Sequence, residues 1–106
     1  MDEALSDLSA VHLRGGTYLV GGFTGTQYAS AILRVGAHDR TTTVARLPTG
    51  MRYAGVATTG GKIYVAGGVT THGESRAIYE FDPRGATVVR IGSLPRPEAH
   101  AALAAL

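Results

Sequence analysis

The sequence predicts an all-β chain of consecutive four-stranded antiparallel sheets, and three observations predict it. Glycine is abundant, 15 of 106 residues, and falls in pairs rather than in low-complexity runs. Apolar residues come in short runs rich in Val, Ile, Tyr and Thr, which suit a pleated strand better than a helix. The third observation is a repeat. Gly21-Gly22 returns as Gly67-Gly68 and Leu47-Pro48 as Leu94-Pro95, a period of about 46 to 47 residues. Tyr18-Leu19-Val20 matches Tyr64-Val65-Ala66, and Ala31-Ile32 matches Ala77-Ile78. Arg52-Tyr53-Ala54-Gly55-Val56 is echoed by Ala99-His100-Ala101-Ala102-Leu103.

Each unit reads as four short strands. In the first they fall at about 8–14, 17–22, 30–35 and 42–47, and in the second at about 52–59, 62–67, 76–82 and 86–91. A further segment of the same kind covers 98–106, so the chain divides into units 1–48 and 49–95 and a last strand within 96–106. Ile78-Tyr79-Glu80-Phe81 and Val88-Val89-Arg90-Ile91 alternate as half-buried strands do. Gly15-Gly16 and Gly60-Gly61 sit where the first hairpin of each unit needs positive φ. Asp82-Pro83-Arg84-Gly85 supplies a turn, with Pro fixing φ and Gly taking the left-handed region. Glu80 and Arg90 are expected to face each other across the last ladder.

Composition narrows the function. Ten Lys plus Arg against eight Asp plus Glu give a net charge of +2, and these charges are scattered singly. That is no nucleic-acid footprint, so no nucleic-acid partner is expected. Cysteine is absent, which excludes disulfides and thiol chemistry and leaves the compartment open. No stretch reaches the roughly 18 apolar residues of a membrane helix. Met1-Asp2-Glu3 is acidic and lacks an apolar region, so no signal peptide is expected. The four His, at 12, 38, 72 and 100, occupy four different repeat positions, and neither metal nor other cofactor is expected.

Gly61-Lys62-Ile63-Tyr64-Val65-Ala66-Gly67-Gly68 followed by Ile78-Tyr79-Glu80-Phe81-Asp82-Pro83 resembles the kelch repeat. In that family a double Gly ends the second strand and an aromatic-Asp-Pro ends the third. Arg52-Tyr53-Ala54-Gly55-Val56 resembles the family's first strand. The first unit departs, with Val35-Gly36-Ala37 in place of Phe81-Asp82-Pro83. The family's fourth-strand Trp is absent, with Val88 in its place in one unit and roughly Thr42 in the other. The resemblance implies kelch-type β-propeller blades, each a four-stranded antiparallel sheet: two blades and the first strand of a third. Propellers close with roughly four to eight blades, so this one is incomplete unless it oligomerises. Bare outer faces are expected to carry Ile32, Val44, Ile78 and Val89 and to drive self-association, a trimer of the pair being one way to close a ring.

The resemblance also implies a non-catalytic binding or scaffold module that takes a protein or glycan ligand on the loops of one rim. Here those loops are 23–29, 48–52, 69–75 and 95–98. Arg52, Tyr53 and His100, near the mouth of the central channel, lead the candidates, joined by Gln27, Tyr28, His72 and Glu74. The alternative is a larger sugar-binding propeller or propeller enzyme, galactose-oxidase-like or sialic-acid-mutarotase-like, with its active groups outside this chain. The Cys–Tyr cofactor of galactose oxidase is excluded here for want of Cys. No catalytic residue is assigned, and no phosphate loop or Gly-x-Ser-x-Gly motif is present.

Overall fold

Strand alternation and paired glycines produce two sheets in the computed structural model, which describes residues 8–36 and 40–95. The first sheet is a meander of β1 (Ser9–Leu13), β2 (Gly16–Val20), β3 (Ala31–Val35) and β4 (Thr41–Arg46). The second contains β5 (Gly55–Thr59), β6 (Lys62–Ala66), β9 (Ala77–Asp82) and β10 (Thr87–Ser93) in the order β5-β6-β9-β10. A two-stranded hairpin, β7 (Val69–Thr70) and β8 (Gly73–Glu74), rises from the loop between β6 and β9, where the sequence indicates only a loop. The expected strand at 98–106, with His100, lies outside the described residues.

The repeat is legible in the hydrogen bonds. Gly21 N donates to Ala31 O as Gly67 N does to Ala77 O. Ala29 N donates to Gly22 O as Ser75 N does to Gly68 O, and Leu47 N to Ser30 O as Leu94 N does to Arg76 O. Both outer strands carry a β-bulge, at Val44 in β4 and at Ile91 in β10. Val35 pairs with Thr41, and Phe81 with Val88, so Thr41 rather than Thr42 is the counterpart of Val88. The second repeat therefore has one residue more between its third and fourth strands, which accounts for the drift in period.

The two sheets bury opposite faces of the same repeat. Strand alternation places Tyr18, Val20 and Ile32 on the buried face of the first sheet. In the second sheet the buried side chains are Ile63, Val65, Ala77, Tyr79 and Phe81. Tyr18 aligns with Tyr64 and Ile32 with Ile78, both of which lie on the other, half-buried face of the second sheet. One sheet thus presents its front to the back of the next. Tyr18 meets Phe81 edge-on, with ring centroids 6.1 Å apart, and β1 runs beside β5. The Ser9 hydroxyl donates to Ala54 O across this seam. Leu47, Met51 and Ala54 of the linking segment complete the core.

Several expectations are corrected. Ile32 is fully buried between the sheets rather than on an outer face, and Val44 packs against the same core. The outer face of the second sheet does carry Ile78, half-buried, and Val89, 52% exposed. Glu80 pairs across the ladder with Val89, and Arg90 with Tyr79, because the expected register is off by one. The first hairpin takes positive φ at Arg14 and Gly15, not Gly16. In the turn after β9 the left-handed residue is Ala86, not Gly85, and Asp82 Oδ1 accepts from Arg84 N at 3.0 Å.

On the second sheet's outer face the Tyr64 hydroxyl donates to Glu80 Oε2 at 3.0 Å, and Lys62 Nζ lies 3.4 Å from Glu80 Oε1. Tyr64 holds its proton to higher pH than an ordinary phenol. The hydrogen bond to Glu80 is the main cause, followed by burial and the Glu80 charge, with Lys62 opposing. A phenol raised in this way contributes stability that is complete below the ordinary phenol value and lost as pH rises through the folded one. Glu80→Gln should lower the Tyr64 value, read by NMR titration of its ring; an unchanged titration contradicts this cause. Phe81→Ala should cost about 3–5 kcal/mol, measured by urea unfolding, because it empties the centre of the seam.

Candidate functional site

The candidate site is built where the linking segment crosses the loop between β2 and β3. Gly21 has φ of +70°, and a side chain there would run into the Met51 carbonyl. Gly50 is equally close to the Tyr28 carbonyl. These approaches let Gly22 N donate to Met51 O at 2.7 Å and Met51 N to Ala29 O at 3.0 Å. The next residue, Arg52, is tied to β7 instead: its N–H donates to Val69 O at 3.0 Å, and its carbonyl accepts from Val69 N at 2.8 Å. Arg52 is thus fixed between the first sheet's loop and the second sheet's hairpin.

Its guanidinium lies over three aromatic rings, with centroids at 4.6 Å for Phe23, 5.0 Å for Tyr53 and 5.4 Å for Tyr28. Phe23 and Tyr28 form an antiparallel bridge, their rings 5.3 Å apart. The turn between them closes through Thr24, whose N–H donates to Gln27 O and whose hydroxyl accepts from Gln27 N. Tyr53 has φ of +61°, a conformation that costs a non-glycine residue free energy. The other described non-glycine residues with positive φ, Arg14 and Ala86, sit in hairpin turns. Tyr53 instead bears its strain beside Arg52, as strained residues at working sites often do.

The predicted site residues therefore separate into groups. Arg52, Tyr53 and Tyr28 come together. Gln27 is exposed at the tip of the same loop and closes its turn. His72 and Glu74 belong to the β7–β8 hairpin and line a different feature, a cavity of about 340 Å³ between the linking segment and the rim of the second sheet. His100 lies outside the described residues. Sequence reading missed Phe23; its signal was a second aromatic immediately after a double Gly, five residues before Tyr28. Chemically, the cluster sets one cation among three aromatic rings. A guanidinium presents a planar fork of donors suited to carboxylates, and phenols offer an apolar body with a polar tip.

Comparison with known proteins agrees with this architecture. Residues 50–95, the second sheet with the segment leading into it, match the family model described as Kelch motif. The solved β-propeller YjhT superposes with a TM-score of 0.82 over 91% of this chain, at 16% sequence identity. The chain spans 40% of the length of that protein, and the likeness at this identity is one of fold. No curated protein matches the sequence. The chain has the fold of a pair of β-propeller blades, and its second blade matches the Kelch motif. Arg52→Met keeps the apolar stem and removes the cation. It should lower stability by about 1–2 kcal/mol in urea unfolding, and no loss would show that the ring contacts contribute nothing.

Proposed function

We propose that this chain is a non-catalytic protein-binding module, and that the partner docks on the rim around Arg52, Tyr53, Tyr28 and Phe23. Kelch repeats generally act as binding or scaffold repeats. The observation that carries the reading is the guanidinium held over three rings by backbone bonds from both blades. Arg and Tyr are enriched among binding hot spots, which sit in well-packed, desolvated pockets. Here the framework has already met the ordering cost for both.

A second part of the reading concerns assembly. Among the described residues, the pair leaves one front face bare, with Tyr64, Ile78 and Glu80, and one back face bare, with Leu19, Leu33 and Val35. These are the repeat counterparts of the two faces already joined at the seam. A front-to-back contact is heterologous and generates a ring when the rotation closes. A second copy of the chain can therefore extend the seam on each side.

Two measurements test these statements separately. On arrays of immobilised peptides and glycans, the chain should retain a defined set of peptides and lose them on Arg52→Ala. Retention of glycans alone supports the sugar-binding alternative, and retention indifferent to Arg52 contradicts the rim site. Light scattering coupled to size exclusion should give one discrete mass of several protomers; a monomer contradicts self-association and leaves the rim site untouched.

A further inference from the structure

We propose that the cavity beside the β7–β8 hairpin, distinct from the Arg52 surface, binds a small carboxylate carried on an apolar body. Its volume, about 340 Å³, is at the lower end of the range in which small-ligand pockets fall. The floor is apolar and firm. Met51, Ala77 and Tyr79 line it, and they are 1%, 5% and 8% exposed. Tyr79 adds a phenol to that floor, a group able to donate to an acceptor within an otherwise apolar surface.

Its rim is cationic, and the cations are held in place. Arg76 and Arg90 both line the cavity, on β9's leading edge and on β10. Arg76 Nε donates to Leu94 O at 3.0 Å. Arg90 Nε donates to Gly92 O at 3.4 Å and its Nη2 to Ser93 Oγ at 2.8 Å. Both guanidiniums are thus anchored on consecutive residues at the end of β10, where the bulge at Ile91 has turned the strand. These anchors use one N–H of Arg76 and two of Arg90, out of five on each guanidinium.

Two guanidiniums and one carboxylate, Glu74, line the cavity, so the lining has net positive charge. An anion enters with favourable field, and the planar forks match the in-plane lone pairs of a carboxylate. The buried floor then selects among anions. A bare ion gains nothing from Met51 and Ala77, whereas a ring or short aliphatic body gains by removing apolar surface from water. This assignment is independent of the rim site, because Arg52 does not line the cavity.

The test is an NMR titration at low ionic strength with benzoate and, separately, with inorganic phosphate. Benzoate should give saturable amide shifts at Ala77, Tyr79 and the end of β10, and should bind more tightly than phosphate. Arg76→Gln and Arg90→Gln should each weaken benzoate about tenfold, the scale of one charge-assisted hydrogen bond. Arg52→Ala should leave it unchanged. Unshifted signals from the distant hairpin at His12 and Thr17 report that each variant stays folded. The proposal is overturned if neither probe saturates, if phosphate binds as tightly as benzoate, or if the double Arg variant keeps full affinity.

Discussion

The packing of one blade's front on the next blade's back is the constraint on which the rest of this molecule depends. A four-stranded sheet of this size has two faces and can bury only one against a single neighbour. The chain resolves half of that problem internally. Tyr18, Val20 and Ile32 close against Ile63, Val65, Tyr79 and Phe81, with the linking segment sealing the rim through Leu47 and Met51. The other half is displaced to the two ends, where equivalent positions remain half-buried. Those two end faces repeat the two faces that are joined at the seam.

The rim surface is a product of that seam. Arg52 lies over Phe23 and Tyr28 because Met51, one residue earlier, is bonded into the loop of the first blade. It is held there because Val69, at the start of the hairpin on the second blade, returns both backbone bonds. Two glycines permit the approach, Gly21 by its positive φ and Gly50 by its lack of a side chain. The double Gly of the first blade thus has a task beyond turning the chain. It opens room for the connecting segment, and that segment carries the guanidinium at the centre of the rim cluster.

Much of the fold was legible in the sequence, and the residues explain why. Paired glycines, alternating Ile78-Tyr79-Glu80-Phe81 and the matched Leu-Pro steps mark strands and turns locally, so blade number and strand order follow from them. What failed to follow depended on register and on contacts between blades. Alternation does not say which face of Ile32 is outward, since that is decided by the second blade. Neither does it fix the length of the turn after Asp82, which sets Arg90 opposite Tyr79 instead of Glu80. At the rim, Arg52, Tyr53 and Tyr28 could be picked by residue type and loop position. Phe23 carried the same signal, an aromatic in the loop 23–29, but its place beside Arg52 is set only when the linking segment folds over it. The cavity of Arg76 and Arg90 was likewise hidden, its two cations being brought together by the end of β10.

The central claim is that the two blades share one core and unfold as one unit. Native-state hydrogen exchange tests it most directly. Amides of β2 and β3 in the first blade and of β6 and β9 in the second should exchange with the same free energy, equal to that of global unfolding. If the first blade's amides instead open at a markedly lower free energy while those of the second stay protected, the blades are separate cooperative units and the seam is not a shared core.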